Sequence, residues 1–137
     1  MDPIDETLEL GWEALETGAF DDALRLARAL PEVDEAQEIE ARALAAQGNL
    51  EAARARLGAL AQRLPGEAWP LLALADVLLR GGEEATAEAR AEQALDAIAR
   101  ARKLTRHDKS AGAEVAYLEG VARMLLEDDA RALAAFD

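Results

Sequence analysis

The chain has 137 residues, among them 28 Asp and Glu against 15 Lys and Arg, for a formal net charge of −13, with no cysteine, one histidine and 4% aromatic residues. The missing cysteine excludes a disulfide framework, a thiolate metal site and a cysteine nucleophile, and the negative field repels nucleic acid and anionic lipid while favouring basic partners. Abundant Ala and Leu with few β-branched residues make an all-α fold the expectation, in a length that suits one domain.

The charge is unevenly spread, for residues 1 to 40 hold thirteen acids against Arg25 and Arg28. The opening "MDPIDETLEL" lacks the basic start and apolar core of a secretory signal, and no stretch approaches the ~20 apolar residues of a membrane span. A cytoplasmic chain without membrane contact is expected.

Breakers divide the sequence into eight expected helices. The first runs from about Ile4 to Thr17, opened by Asp2-Pro3 and closed by Gly18. The second starts at Phe20 and stops before Pro31; the third, Asp34 to Gln47, begins with an acidic turn that suits the helix dipole and ends at Gly48. The fourth spans Leu50 to Leu64 and halts at Pro65-Gly66. The fifth lies in "EAWPLLALADVLLR", with Pro70 in its first turn where a missing amide costs nothing, and ends at Gly81-Gly82. The sixth is one long helix from Glu83 to about Leu104, with Ala87, Ala91, Ala94, Leu95, Ile98 and Ala101 on one face. The seventh spans Ser110 to Leu126 with Ser110 as N-cap, and the eighth starts near Asp128.

Turns of two to four residues imply antiparallel hairpins, and the hairpins repeat. Gly18, Ala23, Ala27 and Leu30 are matched by Gly48, Ala53, Leu57 and Leu60, then by Gly82, Ala87, Ala91 and Ala94, in steps of five, four and three. Seven residues before each turn stands a small residue: Gly11, Ala41 and Ala75. A fourth unit fits through Gly120, Ala132 and Phe136.

A helix-turn-helix of thirty-four residues from Gly48 to Gly82, with small residues at the helix crossings and Pro65 closing a unit, resembles the tetratricopeptide repeat. Leu10-Gly11 matches the Leu-Gly pair of that family, and Ala132 with Phe136 its Ala-x3-Phe step. The resemblance implies a right-handed α-solenoid in one domain, with units at about 4–33, 34–67, 68–112 and a truncated 113–137. The first unit is four residues short. The third is about eleven longer, three extra helical turns that carry the basic stretch Arg100 to Lys109.

No catalytic or metal constellation emerges, and no cofactor is expected. Asp21-Asp22, Glu35 with Glu38, and Asp128-Asp129 read as solvated carboxylates at helix starts, and His107 has no second imidazole with which to share a metal. Gly48-Asn49 and Gly81-Gly82 lack the preceding strand and the lysine of a phosphate loop. Arg100 to Lys109 has no interleaved aromatic residue for stacking on bases, so it reads as a solvated helix end.

Stacked repeats line a concave face with the first helix of each unit, where the resemblance places partner binding. The implied positions are Leu8, Trp12 and Leu15, then Glu38, Arg42 and Ala45. The third unit supplies Trp69, Leu72, Asp76, Leu79 and Arg80, and the fourth Tyr117, Val121 and Met124. Trp12 and Trp69 read either as anchors for a bound peptide or as plugs between units. The carboxylate clamp of some relatives is not expected, since Leu8 and Trp12 occupy its positions, and Arg42 and Arg80 each have an acid one turn away for a partner.

The expected function is a non-enzymatic adaptor that binds a peptide or helix of another protein. A chaperone-like holder of secreted or assembly-prone proteins, and the docking part of a larger enzyme, are the alternatives. Because the sequence stops inside the second helix of the fourth unit, either a longer protein or self-association through that open hairpin is expected.

Overall fold

A computed structural model describes residues 2–81 and 86–126. Among them are seven helices and no strand: α1 (Pro3–Glu16), α2 (Phe20–Arg28), α3 (Asp34–Ala46), α4 (Leu50–Arg63), α5 (Trp69–Arg80), α6 (Ala87–Leu104) and α7 (Lys109–Leu126). The expected eighth helix, from Asp128, lies outside the described residues, and with it the hairpin end expected to self-associate. The chain divides into two compact units, Met1–Leu60 and Ala61–Asp137.

In the first unit, α1 starts on Asp2, whose side chain accepts the Ile4 amide at 2.8 Å, with Pro3 at the position that needs no amide. The helix ends in a Schellman turn. Gly18 stands at φ 81°, its amide donates to the Leu15 carbonyl at 3.3 Å, and the Ala19 amide donates to Ala14 at 2.8 Å. The turn after α3 repeats it, with Gly48 at φ 88°, its amide on Ala45 at 3.0 Å, and the Asn49 amide on Leu44 at 2.8 Å.

Helix α1 packs on α2 and on α3, and α2 packs on α3. Their contacts are made largely by small residues: Ala23, Ala36, Ala41 and Ala43 are fully enclosed, and Gly11 lets α1 approach Ile39 of α3. Ala53, Leu57 and Leu60 of α4 are fully buried as well. Alanine and glycine at these positions allow backbones to come close, at the cost of little apolar area per residue.

In the second unit, α5 packs on α6 and α7, and α6 on α7. Leu71, Leu72, Ala75 and Leu78 meet Ala94, Ala97, Ile98 and Ala101 of α6 and Val115, Leu118 and Ala122 of α7, with Ala61 at the edge. Two boundaries differ from expectation. Thr86 is extended (φ −67°, ψ 158°) and its hydroxyl accepts the Ala89 amide at 3.0 Å, so α6 starts at Ala87 rather than Glu83. Arg90 donates from Nη1 to the Leu78 carbonyl at 3.0 Å, in the last turn of α5. Ala87, in the first turn of α6, is exposed rather than part of the packing face.

The start of α7 is capped by Asp108 and not by Ser110. The Asp108 Oδ1 accepts the Ser110 amide at 3.1 Å, the Ser110 hydroxyl at 3.0 Å and the Ala111 amide at 3.2 Å. Asp108 stands two residues ahead of Ser110, where its carboxylate accepts two orphan amides and its charge suits the helix dipole.

Candidate functional site

In the first unit Leu8, Trp12 and Leu15 lie along one face of α1 at helical spacing, all three half-buried. The Trp12 indole Nε1 donates to Glu35 Oε2 of α3 at 3.1 Å, and the Arg42 guanidinium carbon stands 6.0 Å from the ring centroid. That distance is at the limit of a cation–π contact. Arg42 in turn donates from Nε to Glu38 Oε2 at 2.8 Å, one helical turn back on α3. Glu38 is nearly enclosed, and Ala45 is buried.

The sequence-derived positions Trp12, Glu38 and Arg42 thus come together, joined by Glu35. The set holds a flat aromatic ring in place by both its edge and a neighbouring cation. The guanidinium, paired with Glu38, is not a bare charge waiting for a ligand carboxylate.

In the second unit Arg80 pairs with Asp76 at 3.1 Å across one turn of α5. Trp69 is half-buried, Leu79 is half-buried and packs against the core, and Leu72 belongs to the core itself. Trp69 and Leu72 also line a pocket of about 380 Å³ with Glu67, Asp108, Ser110 and Glu114. On α7, Tyr117 is 64% exposed and Met124 52%, with Val121 half-buried between them. Val115, Leu118 and Ala122 take the buried side of that helix, which turns Tyr117 and Met124 outward.

No protein-family model matches the chain, and no curated protein does either. Among the described residues no group of three or more His, Asp or Glu side chains stands close enough to hold a metal ion, and no helix is long and apolar enough to cross a membrane.

One arrangement escaped the sequence. Glu40 of α3 is buried, and its two oxygens take Arg28 Nε of α2 at 2.8 Å and Arg56 Nη1 of α4 at 2.7 Å. Three helices meet at one carboxylate. The partners lie twelve and sixteen residues away in sequence, so no local spacing announces them, and the only trace is an acid wedged between Ile39 and Ala41.

Asp108 and Glu119 titrate below their ordinary values. Asp108 is held down first by the Ala111 amide and then by the Ser110 hydroxyl. Glu119 is held down first by its hydrogen bond from Arg102 of α6 and then by Arg123, against the opposing effect of partial burial. Both hold structure in place: one caps α7, the other ties α7 to α6.

Proposed function

We propose that the chain is a protein-binding module of the tetratricopeptide type, a right-handed solenoid of helix hairpins whose first helices line a groove for a peptide or helix of another protein. It acts as an adaptor and carries out no catalysis. What supports the reading most is a local structure that recurs thirty residues apart: the α1–α2 and α3–α4 turns close with the same pair of amide bonds around a glycine of positive φ. The small residues at matching places are buried in both, Gly11 with Ala41 and Ala23 with Ala53. Stacked units of this kind bury one face and leave an extended surface for partners.

The partner-facing set is Leu8, Trp12, Leu15, Glu38 and Arg42 in the first unit. In the second it is Trp69, Asp76, Arg80, Tyr117, Val121 and Met124, whereas Leu72, expected in the set, is buried in the core. Aromatic side chains with a polar edge offer contact area, and Trp12, held by Glu35 and Arg42 before the partner arrives, does so at little ordering cost. The test is affinity capture by the full chain and by the triple variant Trp12→Ala, Trp69→Ala, Tyr117→Ala, with circular dichroism to verify its helices. Tyr117→Ala alone, at an exposed site, serves as the variant whose fold is not at risk. The expected result is loss of the captured partner in the triple variant and weakened capture in the single one. Unchanged capture by a folded triple variant overturns the reading.

A further inference from the structure

The pocket beside Trp69 has an acidic lining that the adaptor reading leaves without a purpose. It lies wholly in the second unit, between the start of α5 and the beginning of α7, with Trp69 and Leu72 as its apolar wall. Glu67, Asp108 and Glu114 also line it, and among the described residues no basic side chain does. Glu67 and Glu114 are exposed, and neither forms an ion pair among the described residues. Asp108 is fixed as the cap of α7 and contributes its charge without rearranging. Arg106, His107 and Lys109 stand exposed on the adjoining turn, outside the lining.

We infer that this pocket receives a basic side chain of the partner, arginine foremost, its stem lying on Trp69 and Leu72 and its guanidinium meeting Glu67 and Glu114. The inference rests on the protein-binding reading and names the chemistry of the segment bound. An acidic side chain meets three carboxylates there, and an apolar one leaves Glu67 and Glu114 without a cation. Arginine satisfies both halves of the site: an aliphatic stem covers apolar surface, a flat cation stacks on indole, and its fork of N–H donors spans two carboxylates. Lysine offers the charge but neither the plane nor the fork.

Trp12 and Trp69 each give one indole N–H resonance in the full-length, 15N-labelled chain, so the two units are read separately. The probe is the peptide acetyl-Gly-Arg-Gly-amide, with the citrulline peptide as its neutral isostere. The expected result is a saturable shift of the Trp69 indole signal with Trp12 left in place, weakened by added salt and absent with citrulline. Glu67→Gln/Glu114→Gln, at two exposed positions, is expected to weaken it about fivefold or more. The inference is overturned by any of four results: no saturable shift, an equal response to citrulline, an equal shift at Trp12, or unchanged binding by the double variant. Partner capture by the aromatic variants is a separate readout, so this inference can fail while the adaptor reading stands, and the reverse.

Discussion

Gly11 of α1 faces Ile39 of α3 so closely that a Cβ at position 11 would lie 3.1 Å from the Ile39 Cδ1 and 3.4 Å from its Cγ2. Ile39 is among the largest fully enclosed side chains of the chain and has little room to retreat. Gly11→Ala sets a gain in helix propensity of about 1 kcal/mol against that crowding, and stability is expected to stay within about 1 kcal/mol of the parent. Gly11→Leu adds three further carbons to the same contact, and a loss of about 3 kcal/mol is expected. Urea unfolding of the two variants checks this; a Gly11→Leu chain as stable as the parent means that α1 and α3 do not meet there.

Turn glycines and helix glycines respond in opposite directions. Gly18 and Gly48 have open space around them but stand at positive φ, so alanine at either is expected to cost about 1 kcal/mol through backbone strain alone. Gly58 of α4 and Gly112 of α7 are helical with nothing within 4 Å of an added Cβ, and alanine there is expected to stabilise by about 0.5–1 kcal/mol. Thermal melting of the four single variants decides the matter. The same sign at Gly48 and Gly58 contradicts the turn geometry.

Glu40 holds more of the first unit together than either arginine does. Its side chain is only 7% exposed, whereas Arg28 is 58% exposed and Arg56 45%. Removing one arginine leaves a carboxylate with its other partner, and a loss below about 1 kcal/mol is expected for Arg28→Ala or Arg56→Ala. Glu40→Ala opens a gap among three helices and releases both cations, for an expected loss of about 2 kcal/mol. Chemical denaturation of the three variants ranks them, and a Glu40→Ala variant no weaker than Arg56→Ala removes the carboxylate from its central role.

The helices and the turns between them were legible because they are written in local chemistry. A glycine after a helix, a proline in a first turn and alanines at steps of five, four and three each act within a few residues, and Gly18, Gly48 and Pro70 stand where such rules put them. Legibility failed first where neighbouring residues could each serve as the cap. Asp108 took the cap from its place two residues ahead of Ser110, with both the Ser110 and Ala111 amides on its Oδ1, and Thr86 supplies the cap of α6 inside what reads as continuous helix. Trp12 with Arg42 and Glu38 is half legible. The pair on α3 follows from spacing, while the partner of the indole, Glu35, depends on how α1 lies on α3.

Acid should loosen the junction of α6 and α7 in a defined range. Glu119, with an ordinary value of 4.5, is held lower by hydrogen bonds first from Arg102 and then from Arg123, so its ionised form belongs to the folded chain. A folded value below the unfolded one means stability that is complete above the unfolded value and drains away as pH falls through the folded one. The parent is therefore expected to lose urea resistance below about pH 4 more steeply than Glu119→Gln, which has no proton to take up at that site. Above pH 6 the two should run parallel, with the variant less stable by a constant amount. Parallel curves down to pH 2.5 would show that Arg102 does not favour the carboxylate in solution.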